Sequence, residues 1–494
     1  MHKYLEKANT GIYNAAISVQ NFFIKYMHVL IISFIAGILI NSIDIFTFKF
    51  GIDSEIVPYS NQFLMQRYGS LILHNLFPFI SYNIISQLTG IISLIFAALL
   101  MVSRHNISNT AKTLFIIFFI SSSYFTYLQY FFFQSAYNFI GLLFVVAAFR
   151  LIENNKNIFT HLLAVFLLFI GISSYQSNLS VFLSVMTFNV MLNFINDKDI
   201  KKAVKLIIKG SVILLISLII YYISVKIMSS GMTEYHLQMI LWTKYNTSSI
   251  LLYILKFIFT HDKSLYLYFV TIILYIIFNF NNIKERLLFI LLAFLFILSA
   301  YSLIIAMGNP MTSRTMTPIA ILPAFTFLLI YIFKDNNILK SIAAIFALII
   351  ILLNTSTNIK LQNTVKLTYE QDKITASKIL DIIYAKYPEI YTGKYKIAFY
   401  GRIYPNKHYL KQSTDVFSNG SFFNWNGGNP GRIYAFLRLM GLPEIIQVNN
   451  ILQYNRNLSY APDNLKELIK SMPSYPSSNC AELYNDTVVV KLSN

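Results

Sequence analysis

The chain has 494 residues, of which 56% are hydrophobic and only 12% charged, about half the charge of an ordinary soluble protein. The formal net charge of +18 does not mark a nucleic-acid binder. Within residues 1–355 most Lys and Arg lie in short loops between apolar blocks, where they orient helices in a membrane. The single cysteine, Cys480, excludes an intramolecular disulfide and a zinc site built from several thiolates.

Apolar blocks run from about residue 26 to residue 354, each near the length needed to cross a hydrocarbon core of roughly 30 Å. The first, 26–48, is long enough to be retained as a helix rather than cleaved as a signal peptide. The others are predicted at 84–103, 113–130, 135–152, 159–175, 177–195, 208–227, 265–281, 286–306, 317–333 and 338–354. These readings give about eleven spans. The fold class is thus a polytopic α-helical membrane protein, residues 1–355, followed by a soluble α/β domain, residues 356–494.

Alternate loops carry the positive charge: Lys3 and Lys7; Arg104 and Lys112; Arg150 and Lys156; Lys198, Lys201, Lys202, Lys205 and Lys209; Lys284 and Arg286; Lys334 and Lys340. The positive-inside rule makes these loops cytoplasmic and the C-terminal domain extracytoplasmic. The short segment 248–260, interrupted by Lys256, is read as an interfacial or re-entrant helix on the outer side. In the C-terminal domain, helices are predicted at 369–386, 431–440 and 463–471 and strands at Lys396–Tyr400 and Thr487–Leu492. No Gly-rich phosphate loop of Walker or dinucleotide type is present.

Polar residues at the membrane border carry the chemical signal. The first outer loop holds Asp53 and Glu55, then Gln66-Arg67-Tyr68-Gly69-Ser70 ahead of an apolar stretch. A carboxylate there can serve as general base for an acceptor hydroxyl, and an arginine can stabilise a departing phosphate. The alternative is a pair of solvated loop carboxylates with Arg67 as an interfacial anchor. Tyr175 and Gln176 join two spans, where they can hydrogen-bond a sugar or one another's helices. Asn309 and Arg314 flank the start of a late span; Arg314 is a phosphate partner or a snorkelling anchor. His74 and His236 read as packing and loop residues, and Asp197-Lys198-Asp199 lies on the cytoplasmic side among lysines. Phe422-Phe423-Asn424-Trp425 is either core or a stacking surface for a sugar.

These motifs, in this order across residues 30 to 320, resemble the bacterial serotype-converting glucosyltransferase family, membrane enzymes that glucosylate O-antigen or related surface glycans. The residues that carry the likeness are Ile52-Asp53-Ser54-Glu55, Arg67-Tyr68-Gly69, Tyr175-Gln176-Ser177, and Gly308-Asn309 with Arg314. The resemblance implies a C-type glycosyltransferase fold and an inverting reaction at the outer face of the bacterial cytoplasmic membrane. It implies a polyprenyl-phosphate glucose donor, a surface-glycan acceptor and no nucleotide. By carry-over, Asp53 or Glu55 is the base, Arg67 and Arg314 meet the donor phosphate, and Tyr68, Tyr175, Gln176 and Asn309 contact substrate. The chain departs from the pattern where members often carry Asp-Asp or Trp, which leaves both carboxylates as candidates. No cofactor is required; Mg²⁺ or Mn²⁺ at Asp53 and Glu55 is the alternative. The competing function is a transporter or flippase of lipid-linked sugar, which would place ionisable groups near the bilayer midplane.

Overall fold

A computed structural model describes residues 2–52, 63, 65–81, 83–154, 157–228, 234–310, 312–333, 336–406, 420–447, 458 and 461–493. It is mainly helical. In chain order the helices are α1 (His2–Ile40), α2 (Ser42–Phe46), α3 (Tyr68–Leu76), α4 (Asn83–Val102), α5 (Asn109–Ile120), α6 (Ser123–Gln129) and α7 (Phe132–Asn154). They continue with α8 (Ile158–Ser174), α9 (Asn178–Asp197), α10 (Ile200–Met228), α11 (Glu234–Met239), α12 (Thr247–His261), α13 (Ser264–Asn279) and α14 (Ile283–Ala300). The last are α15 (Ser302–Met307), α16 (Ile321–Ile332), α17 (Asn337–Lys386), α18 (Pro430–Leu439) and α19 (Asp463–Ser471).

By length and composition, six helices among the described residues can cross a membrane, or eight if two bent pairs each count as one span. The pairs are α5 with α6, bent by 50°, and α12 with α13, bent by 84°. The expectation of about eleven spans therefore exceeds what these helices support. The shortfall has local causes. Helix α8 has only 17 residues, about 26 Å of rise, and α14 opens on Lys284, Glu285 and Arg286. The 84° turn at residues 262–263 sets α12 across the direction of α13, so the segment read as interfacial is a helix in its own right.

Burial separates the spans into two kinds. Helices α4, α7 and α9 are mostly enclosed, whereas α1 and α10 present broad apolar faces outward. On α10 the outward face includes Ile208, Val212, Leu215, Ile219, Ile223 and Ile227. Apolar surface this continuous is unstable in water and calls for lipid around it. Inside, small residues let helices approach: a Cβ added at Gly171 of α8 would lie 2.6 Å from the Gly141 carbonyl oxygen of α7. Ser302 donates to Ser180 (2.7 Å), and Thr187 and Ser299 hydroxyls meet at 3.1 Å, linking α9 to α14 and α15.

One end of the bundle is basic. There the Arg150 side chain donates to the Leu100 and Met101 carbonyls at the end of α4 and pairs with Glu153. Glu153 also accepts from Asn193 at 2.9 Å and faces Arg104. A carboxylate buried beside one guanidinium and near another is compensated, which is the condition for burying it.

The other end carries the C-terminal residues. Strands β1 (Lys396–Tyr400), β2 (Ala481–Tyr484) and β3 (Thr487–Lys491) form one sheet in the order β1-β3-β2. β1 runs parallel to β3, with Ile397 opposite Val488, and β2 is antiparallel to β3. Both strands expected from the sequence are present; the four-residue β2 is additional. The sheet packs Ile397, Phe399, Val488 and Val490 against Ile379 and Ile383 of α17 and Phe436 of α18.

Helix α17 connects the two parts. The sequence predicts a span ending at 354 and a separate helix from 369; the structure has one helix of 50 residues, about 75 Å long. No Gly or Pro interrupts 355–368, and Leu361, Val365, Tyr369 and Asp372 stay buried along one face. Asn358 donates to the Ser121 carbonyl (2.7 Å), which the break between α5 and α6 would otherwise leave unpaired. Gln362 donates to Ile40 O (3.0 Å), and the Tyr369 ring meets Phe50 edge to face. Farther along, Asp372 accepts from the Ser421 hydroxyl and the Phe422 N–H, each at 2.7 Å.

Proline at the exposed Asn363 should break this helix without removing packed atoms, at a cost of about 3 kcal/mol. The expected outcome is a lower melting temperature and new protease cleavage near residue 363, with Asn363→Ala unchanged. Intact, fully protected Asn363→Pro protein would refute the continuous rod. Burial pushes the Asp372 carboxyl up to about 7. The native state thus holds a proton between about pH 4 and pH 7 that the unfolded chain has released. Stability should fall as pH rises through that window, and Asp372→Asn should flatten the dependence of melting temperature on pH.

Candidate functional site

The site is built where α3 meets α8. Gly69, at the start of α3, lies so close to α8 that an added Cβ would sit 2.2 Å from the Ile170 carbonyl oxygen and 2.6 Å from Ser174 N. Only glycine permits that approach. It lets the Ser70 hydroxyl donate to the Ser174 carbonyl (2.9 Å) and brings residues 65–68 onto the end of α8.

There the Arg67 guanidinium lies 4.8 Å from the Tyr175 ring centroid and donates from Nη1 to Gln134 Oε1 at 2.6 Å. Gln176 Nε2 donates to the Met65 carbonyl (2.9 Å) and to the Tyr221 hydroxyl (3.2 Å). Tyr221 in turn donates to the Gln66 carbonyl at 3.2 Å. Gln66 has φ of 59°, a left-handed conformation that a residue with a side chain keeps only when its surroundings hold it. The Tyr68 hydroxyl is buried and has no hydrogen-bond partner among the described residues. Four residues singled out from the sequence, Arg67, Tyr68, Tyr175 and Gln176, are therefore one cluster.

Arg314 borders the start of α7, the helix that holds Gln134. It lies in a short 3₁₀ turn, Ser313–Thr315, with its guanidinium 4.4 Å from the Phe131 ring centroid. Phe131 precedes α7 and Gln134 lies in its first turn, joined by Gln134 N–H to Phe131 O at 3.0 Å. Two guanidinium groups thus border the N-terminus of a 23-residue helix, itself the positive end of the helix dipole. Charge of this kind suits an anion with several oxygens.

The glucosyl transferase GtrII family matches residues 46–333, more than half of the chain. The chain belongs to that family. No curated protein and no solved structure matches it. Membership makes the protein a glycosyltransferase, and the matched stretch contains Asp53, Glu55, Arg67, Tyr68, Tyr175, Gln176, Asn309 and Arg314.

Asp53 and Glu55 lie outside the described residues of the transferase. The chain that leads to them is closely held. Asp44 and Lys49 form an ion pair, both about 5% exposed or less. Asn83 Nδ2 lies 3.5 Å from the Thr47 carbonyl, and Ile52, 1% exposed, packs with Tyr130 and Phe131. Asn309 lies in the loop five positions before Arg314. Its Nδ2 donates to the Met239 carbonyl (3.3 Å), and Gly308, at φ of 69°, packs under Trp242. Asn309 therefore fastens the loop ahead of Arg314.

Other candidates take structural places. His74 Nδ1 is 3.0 Å from the Tyr137 hydroxyl, within a packed interface. Asp197 pairs with Lys202, whose N–H also donates to Asp199. The His236 side chain is outside the described residues. Among the described residues no three His, Cys, Asp or Glu side chains gather as a metal site. Gln134, Tyr221 and Asp44 escape the sequence reading. Gln134 does carry a signal, as the first polar residue after Phe131-Phe132-Phe133.

Gly69→Ala should cost about 1–3 kcal/mol, because backbone atoms of α8 cannot move aside as a side chain would. Transfer activity should drop further than the melting temperature accounts for, since Arg67 moves with Gly69. Wild-type activity in a Gly69→Ala protein would show that the close contact does not position Arg67.

Proposed function

We propose that this transferase moves glucose from a polyprenyl-phosphate donor to a hydroxyl of a surface polysaccharide, O-antigen-like in kind. The reaction takes place at the outer face of the bacterial cytoplasmic membrane, with inversion at the anomeric carbon. The observation that carries the reading is the convergence of Arg67 and Arg314 on residues 131–134, beside the stem that ends at Ile52.

The chemistry follows from charge. The bond between the anomeric carbon and the phosphate oxygen breaks as the acceptor oxygen attacks from the opposite face. Negative charge then grows on the phosphate, where two fixed guanidinium groups stabilise it more in the transition state than before it. The acceptor hydroxyl must lose its proton in the same step, to Asp53 or Glu55. The two residues follow Ile52 in the chain, so the base and the cations are drawn from neighbouring structure. Tyr68, with its buried hydroxyl, and the Tyr175–Gln176 corner are the partners for the sugar. A metal bound to Asp53 and Glu55 is not needed to neutralise the phosphate, because the arginines already supply two positive charges.

A lipid-linked donor fits a site at the edge of apolar spans in a chain without a nucleotide-binding loop. The orientation is supported by the basic end of the bundle, with Arg104, Arg150 and Lys198 through Lys209, opposite the end that holds the arginine pair.

The test uses protein in liposomes with synthetic polyprenyl-phosphate glucose and candidate surface glycans. One of Asp53→Asn and Glu55→Gln should lower transfer by about 10²- to 10⁴-fold, the usual range for a lost general base. Protein level and membrane insertion should be normal. Full activity in both single variants and the double would overturn the assignment, and movement of the lipid across liposomes without transfer would favour the transport reading.

A further inference from the structure

The C-terminal residues outside the family match touch the bundle at one informative point. Tyr130, the residue before Phe131, donates its hydroxyl to the Gly420 carbonyl at 2.9 Å. Tyr130 is buried, and its ring packs edge to face on Phe131, beneath Arg314. The segment beginning at Gly420 is thus fastened within one residue of the ring that supports a site arginine.

That segment is rigid for reasons that can be followed atom by atom. Both oxygens of Asp372 are used, one by the Ser421 hydroxyl and one by the Phe422 N–H. Phe422 stacks on Phe436 with centroids 4.1 Å apart and planes 6° from parallel. Trp425 N donates to Ser421 O, Gly427 N to Asn424 O and Gly428 N to Trp425 O. Asn426, Gly427 and Gly428 all have positive φ, and a Cβ at Gly428 would meet the Gly401 carbonyl oxygen at 2.6 Å. Phe422 and Phe423 are core, which leaves Trp425, half-buried, and Asn426, exposed, at the apex. Beside it, Arg402 lies 4.4 Å over the Tyr404 ring. An aromatic ring with amide and guanidinium neighbours is the chemistry that holds a pyranose chain.

We propose that the turn 420–428 forms the acceptor side of the transfer site, a subsite for an oligosaccharide, and that Tyr130 and Asp372 are its positioning residues. The inference rests on the function proposed above. It separates the two substrates by direction of approach. A donor anchored by a lipid tail reaches the arginines from within the bundle, whereas a water-soluble glycan arrives from the side where the C-terminal sheet sits. The turn faces that second route, because its root lies on Tyr130 at the sheet end of α7.

Tyr130→Phe removes one hydroxyl and keeps the packed ring. Its KM for polysaccharide acceptor should rise about 2- to 10-fold, the equivalent of one hydrogen bond, with donor KM and kcat unchanged. Asp372→Ala should shift the same constant further, because it removes the partner of both the Ser421 hydroxyl and the Phe422 N–H. Equal changes in donor and acceptor constants, or none, would overturn the assignment. A second measurement needs no transfer. The chain has two tryptophans, so emission lost on Trp425→Phe isolates residue 425. Titration with fragments of the host's own surface polysaccharide should change that emission, and Tyr130→Phe should weaken the response about 2- to 10-fold. Fragments that leave Trp425 unaffected would defeat the subsite. A response without catalysis would leave the subsite standing and remove the transfer reaction instead.

Discussion

A helix that leaves the lipid without breaking imposes its axis on everything attached to both of its ends. Helix α17 is such an element, and its side chains are spent in order along that axis. Asn358 closes the open carbonyl at Ser121, Gln362 takes the last carbonyl of α1, and Tyr369 meets Phe50. One turn later Asp372 holds the segment at 421–422. The first two contacts satisfy helix ends that water would reach poorly, so their loss would leave unpaired backbone groups rather than only a missing contact. The same rod therefore supports the kink between α5 and α6, the stem of the first loop and the C-terminal sheet.

Among the described residues each site arginine rests on an aromatic ring. Arg67 rests on the Tyr175 ring and a neutral amide, and Arg314 rests on the Phe131 ring. Cation–π contacts offset part of the desolvation of a guanidinium, by about 0.5–2 kcal/mol, without cancelling its charge. The contrast with the basic end is instructive. There Arg150 is paired with Glu153, as a buried cation with a purely structural task should be.

Much of this was legible in the residues, and the limits have physical causes. Arg67, Tyr68, Tyr175 and Gln176 stand out because polar groups at the ends of apolar blocks need a reason, and the structure brings them together. Tyr221 completes the cluster from within a helix that reads as a plain span, where one phenol is unremarkable, and Gln134 from the short gap between two predicted spans. Asn309, a polar residue beside a glycine, reaches the Met239 carbonyl in the turn where Gly308 packs under Trp242. The continuity of α17 was hidden by a change of composition at residue 355, from lipid-facing Ile and Leu to Thr, Asn and Lys. Composition reports the solvent around a helix; only Gly, Pro or a cap reports its end.

The Asp44–Lys49 pair poses the sharpest question of cost. Two opposite charges buried at the border of the membrane gain little net stability over apolar residues of the same size. What the pair does constrain is geometry. The partners are five positions apart, so their contact closes the chain tightly between α2 and the stem that ends at Ile52. Thr47, inside that closed loop, lies against Asn83 of α4, and Phe50 just beyond it lies against α17. With the ring of contacts closed on three elements, Ile52 has little freedom in where it meets Tyr130 and Phe131. Stability is given up at this point for position, and the position is that of the chain just ahead of Asp53 and Glu55.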